Sequence, residues 1–161
     1  MAKIADTLSL NLSDAVEAVL KHWKQESLVA TRLQYLYVVR FLCRHRALPA
    51  RQAIQQVIHE AIHDVAIQNP LVAELLRRRY FGDEIVYAIA HDKGMGESTA
   101  FRLLDEGREL VVQRIQELEE EAKAHYFSEF TKRLEAPTYT HLIGTEKAVA
   151  QLTRVLLSEE A

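Results

Sequence analysis

His59-Glu60-Ala61-Ile62-His63 is an H-E-x-x-H sequence, the zinc metalloprotease pattern, whose spacing brings both imidazoles to one side of a helix. Catalytic zinc needs a third protein ligand. The Gly and His that complete the extended pattern are missing, because Ala66 and Asn69 occupy those places. Glu84, farther along, is a possible substitute that no motif marks. No zinc is therefore expected, and His59 and His63 are weak metal candidates that read better as helix-surface histidines. Cys43 has no motif partner and lies in an apolar run, which suits packing more than nucleophilic work. Gly94-Met95-Gly96 lacks the further glycines and the Lys-Ser/Thr ending of a phosphate loop. Tyr35, Tyr37 and Phe41 read as core or interface aromatics. The expectation is a chain with no catalytic residues and no cofactor of its own, and a zinc hydrolase ranks third among the readings.

Charge offers a second kind of chemistry. The 161 residues carry a net charge of −3, so no overall basic field advertises nucleic acid. The segment from Lys21 to Arg51 differs: Lys21, Lys24, Arg32, Arg40, Arg44, Arg46 and Arg51 face Glu26 alone. Such a run is either a solvated helix face or a contact surface for phosphate or an acidic partner.

These residues must be positioned by helices. With 48% hydrophobic residues there is material for a core, and 5 Gly and 3 Pro are too few for the turns of a β-sandwich or barrel. The single cysteine fits a reducing compartment, and no signal-peptide pattern or membrane-length apolar run occurs, so a cytoplasmic protein without a membrane partner is expected. Ser13-Asp14 before Val16, Val19, Leu20 and Trp23 predicts a helix start after a short arm. A second helix is expected from about Leu28 to His45. Its middle, Leu33 to Cys43, is apolar almost all round and suits a buried centre or half of a dimer interface, hence an expected homodimer or higher oligomer.

Pro49 suits the first turn of a third helix reaching Gln68, with Ile54, Val57, Ile58, Ala61, Ile62 and Val65 on one face. Asn69 caps and Pro70 opens the next helix, which ends near Tyr80-Phe81 before a Gly82-Asp83 turn. A short helix over Glu84 to His91 follows, its His91 suited to a helix C-terminus. From about Glu97 a long helix carries Leu104, Val111 and Leu118, and also Ile115 and Ala122, at sevenfold spacing. Glu119-Glu120-Glu121 reads as solvated surface, and Pro137 with its Thr-rich surroundings as a linker.

Val86 to Asp105 carries the most specific pattern. A helix-turn-helix needs a small residue where its helices touch, a residue tolerant of positive φ four positions later, and apolar residues that seat the second helix. Ala90, Gly94, and Met95, Ala100 and Leu103 meet these needs, framed by Ile85 and Ile89. Together with Leu75-Leu76-Arg77-Arg78-Arg79-Tyr80-Phe81 and Glu97-Ser98-Thr99-Ala100-Phe101-Arg102-Leu103-Leu104, the stretch from about 71 to 118 resembles the last DNA-binding region of bacterial sigma factors. It is still more similar to the related domains of phage-type transcriptional regulators.

That resemblance implies a recognition helix in the major groove of double-stranded DNA, with Ser98, Thr99 and Arg102 at the bases and Lys93 and Arg108 at phosphates. Two departures stand out: Gly96 replaces the usual capping Ser or Thr, and Lys93 replaces an apolar residue that seats the turn. The recognition helix also carries Glu97, Asp105, Glu106 and Glu109, which weakens phosphate binding.

His141-Leu142-Ile143-Gly144-Thr145-Glu146-Lys147-Ala148-Val149-Ala150-Gln151-Leu152 resembles the opening of STAND-type signal-transduction P-loop ATPases, with Thr145 in place of the usual Arg. The resemblance implies that this chain is the N-terminal piece of a larger ATPase, with a Walker A loop following and ATP with Mg as the parent's cofactors.

The expected organisation is an all-α fold, a multi-helix domain containing a helix-turn-helix with a long recognition helix. It comprises a helical extension over 1–69, a sigma-like domain over 70–134, and a linker with the start of an ATPase domain over 135–161. The expected function is DNA binding in a transcriptional or signalling ATPase. The alternative is a protein-interaction or oligomerisation module whose helix-turn-helix does not bind DNA.

Overall fold

The computed structural model describes the backbone of residues 2–25 and 32–135 and the side chains of residues 12–25 and 33–132. The linker and ATPase-like stretch expected over 135–161 lie, beyond Glu135, outside the described residues. The chain is all-α, and no strand occurs among the described residues.

The first helix, α1, spans Ala2–Lys21, so Ser13 is an interior residue and caps nothing. No Gly or Pro interrupts the residues before it, and an interior Ser lowers helix stability too little to start a new boundary. The expected second helix is divided. A 3-10 turn covers Arg32–Tyr35, Leu36 is extended, and α2 runs over Tyr37–His45. Leu36 offers no side-chain cap to α2. The carboxylate comes instead from far along the chain, as Glu119 accepts from the Val38 backbone N–H at 3.1 Å. An anion at the positive end of a helix satisfies an orphan donor and complements the helix dipole. Glu119 is accordingly buried, at 8% exposure, and is not the solvated residue that the Glu119-Glu120-Glu121 run implied. The apolar run around α2 is only partly covered: Leu33, Val39 and Leu42 are buried, whereas Tyr35 is exposed.

Helix α3, Ala50–Gln68, begins directly after Pro49 and buries the six apolar residues expected on its core face, together with Ala53. Asn69 Oδ1 accepts from the Val72 N–H at 3.3 Å and Pro70 opens α4, Pro70–Leu76. The helix then widens into a π turn over Arg77–Phe81, closed by the Gly82 N–H to the Arg77 carbonyl at 3.0 Å. A Cβ on Gly82 would stand 2.7 Å from the Arg78 carbonyl oxygen, which explains the glycine there. Helix α5 spans Val86–Asp92 and α6 spans Glu97–Glu135.

One hydrophobic core collects residues from Val16 in α1 to Leu118 in α6, so helices on both sides of Asn69 share it. It belongs to a compact unit of residues 1–124. Within the second unit, 125–161, the described part is the end of α6, where Tyr126, Phe127 and Phe130 are exposed. No described helix is long and apolar enough to cross a membrane.

Candidate helix-turn-helix site

The turn between α5 and α6 follows from its glycine. Gly94 has φ of +63°, the left-handed region in which L side chains are strained. Its N–H donates to the His91 carbonyl at 3.1 Å, and the Met95 N–H donates to the Ala90 carbonyl at 2.9 Å. This pair of bonds is a Schellman motif, which satisfies the free carbonyls at the end of α5 and turns the chain sharply. Met95 is half-buried against the core, as the apolar residue after such a turn should be. The Gly96 carbonyl accepts from Ala100 N–H at 3.1 Å and so starts α6 without a capping side chain.

Ala90 at 3% and Ala100 at 0% exposure are both buried in the core to which the two helices contribute. Val86, Ile89 and Leu104 complete the buried frame, with Leu103 partly buried. Ile85 does not belong to it. That residue precedes α5 in an extended conformation and is 61% exposed, and Val86 takes the core position that sequence spacing assigned to its neighbour.

Ser98, Thr99 and Arg102 are all exposed on the first turns of α6, and Arg102 has no carboxylate partner among the described residues. Lys93 and Arg108 stand differently. Lys93 pairs with Glu74 at 2.7 Å, and Arg108 pairs with Glu17 at 2.7 Å and with Asp105. Both side chains are about three-quarters covered, so phosphate would have to displace these carboxylates. Arg78 joins the π turn to the motif by bonding Glu84 at 2.6 Å and Asp92 at 2.5 Å. These carboxylates raise the Arg78 pKa and its charge lowers theirs, chiefly through the hydrogen bonds themselves. Arg79 donates to the Glu84 carbonyl at 3.1 Å, and Arg114 to Asp64 at 2.7 Å.

The basic segment before Arg51 does not join the start of α6 in one cationic track. Lys21 pairs with Glu17 at 2.6 Å and Lys24 with Asp83 at 2.9 Å. Helix α2 is anchored at Glu119, seventeen residues beyond Arg102 on α6 and so about 25 Å along that helix. The exposed carboxylates of Asp105, Glu106, Glu109 and Glu117 occur between the two points.

His59 and His63 are exposed on α3, and among the described residues no group of three or more His, Cys, Asp or Glu converges to hold a metal ion. The His59 ring packs on Trp23 at 5.1 Å and Phe81 at 4.7 Å between centroids. Its contacts tie the α1 end to the π turn, a role that spacing along α3 does not show. Partial burial, then the Arg77 charge, push its pKa below the ordinary imidazole value. The neutral ring is therefore favoured in the folded state, and the unfolded chain takes up the proton first as pH falls through about 6.5. Stability from this contact is present above that pH and is lost as pH falls through the lower folded value. A urea midpoint compared between about pH 7.5 and 5.5 should fall further in the wild type than in His59→Phe. Equal falls in the two proteins would place the titration elsewhere.

No protein-family model, curated protein or solved structure matches the chain.

Proposed function

We propose that this chain is a regulatory helix-turn-helix module of a STAND-type P-loop ATPase, and that the motif docks on protein in preference to reading DNA. One observation carries the reading. Of the seven basic residues between Leu71 and Leu118, Arg78, Arg79, Lys93, Arg108 and Arg114 are already bonded to carboxylates or a carbonyl, which leaves Arg77 and Arg102. Phosphate neutralisation supplies essentially all non-specific DNA affinity, and here the cations are neutralised within the fold. The same region exposes apolar surface, with Ile85 at 61%, Tyr87 at 63% and Phe101 at 49%. Exposed large apolar side chains grouped on one unit mark a protein contact more readily than a polyanion site. The Ile143-Gly144-x-Glu146 resemblance supports the placement beside an ATPase domain, where nucleotide-driven assembly would use such a contact.

DNA binding is the second reading, favoured by the formed turn at Gly94 and by Ser98, Thr99 and Arg102 standing exposed together. Polarisation titration of labelled duplex at low salt separates the two. The protein-docking reading expects weak binding that Arg102→Ala leaves unchanged. A loss of about 1–3 kcal/mol on Arg102→Ala, steeply salt-dependent, would establish DNA readout in its place.

A further inference from the structure

Between Ser27 and His59 the chain holds five arginines, no lysine and no acidic residue. Three of these arginines, Arg40, Arg44 and Arg46, are exposed on or just after α2. None has a carboxylate partner among the described residues, although most basic side chains elsewhere in the described fold do. Arg40 and Arg44 are one helical turn apart, on the side of α2 away from buried Val39 and Leu42. Beside them Phe41 is 36% exposed, with the His45 ring tilted against it at 4.2 Å between centroids. Arginine beside aromatic surface is the composition of an interface centre.

Complementary charge meets the start of the same helix, where Glu119 bonds the Val38 N–H. Glu117, Glu120 and Glu121 are 50%, 73% and 65% exposed on α6. Among the described residues they share with Glu119 only Arg114 and Lys123, so the run keeps an excess of negative charge there. The Val38 N–H bond to Glu119 fixes the start of α2 against this run. No carboxylate of the run bonds Arg40 or Arg44 within the chain.

We infer that two copies of this chain pair about a two-fold axis, the arginine face of α2 in one copy meeting the Glu117–Glu121 run of the other. Adjacent patches of opposite sign suit this arrangement, because an isologous interface uses each patch once in either direction. Arginine forks bind carboxylates in bidentate fashion, and Phe41 would supply apolar area between them. A nucleic acid also has the charge for these arginines, but the neighbouring glutamates would repel a polyanion laid across the face. The surface is distinct from the helix-turn-helix, so this pairing stands apart from the reading of that motif.

Sedimentation velocity on the whole chain tests the pairing. The wild type should dimerise at low salt and dissociate as salt rises. Arg40→Glu with Arg44→Glu, and separately Glu120→Lys with Glu121→Lys, should each raise the dissociation constant more than tenfold. An equimolar mixture of the two variants should recover the dimer, because one contact is then native, the other is reversed on both sides, and each joins opposite charges. Far-UV circular dichroism checks that each variant is folded, and Arg40→Ala with Arg44→Ala serves if a reversal disturbs folding. A monomeric wild type, a dimer indifferent to the reversals, or a mixture that stays monomeric would overturn the proposal. So would a monomer that binds single- or double-stranded DNA and loses it on Arg40→Glu with Arg44→Glu.

Discussion

Shortening Ile115 to alanine is expected to destabilise the fold by about 2–5 kcal/mol, the loss seen when a large buried aliphatic side chain is removed. Ile115 is 0% exposed and shares the buried stripe of α6 with Val111, Val112 and Leu118. Helix α6 is held to the core by this stripe together with Ala100, Leu104 and the partly buried Leu103 and Leu110, and Ile115 is the largest of its fully buried side chains. Truncation removes transfer free energy and leaves a cavity that the surrounding helices close only in part. Urea unfolding at neutral pH measures the change. A loss below about 1 kcal/mol would mean that the packing around α6 relaxes freely, contrary to a close-packed core.

Gly107→Leu should cost about 3 kcal/mol or more, from the opposite fault. A Cβ at Gly107 would stand 2.5 Å from Val72 Cγ1 and 3.0 Å from Leu76 Cδ1. Val72 and Leu76 are both 0% exposed on α4, so neither side chain has open space to enter. Glycine inside a helix is unfavourable by about 1 kcal/mol relative to alanine, a gain that any replacement would collect. Overpacking opposes it by about 1–3 kcal/mol for small insertions, and leucine adds three carbons beyond Cβ. The clash should also be non-additive with its partner. Val72→Ala is destabilising alone but should recover part of the loss in the double variant. Strictly additive losses would place the Gly107 effect outside the α4–α6 contact.

Much of the architecture is legible in local chemistry. The apolar face of α3 is recovered by spacing save for Ala53, because a helix that packs on one side must repeat its contacts every turn. Asn69-Pro70 marks a boundary because a side-chain acceptor and a residue without an N–H both suit a helix start. Gly94 marks the turn because a left-handed residue is needed there, and Ala90 and Ala100, expected on the inner side of the motif, are buried. Each of these requirements is met within a few residues along the chain.

The features that decide what the site can bind are not local. Lys93 finds Glu74 nineteen residues away, and Arg108 finds Glu17 ninety-one residues away. Counting charges gives the sum over a segment but not which cations remain free. Ile85 and Val86 are neighbours with similar apolarity, and only the point at which α5 begins decides which one turns inward. The division of the expected second helix at Leu36 and the burial of Glu119 are a single event, a helix end completed by a carboxylate eighty-one residues on. Local pattern along the chain therefore determined α3, the start of α4 and the turn at Gly94. Tertiary packing decided which charges are neutralised and which arginines remain exposed, because a charged side chain is satisfied by whatever lies beside it in space.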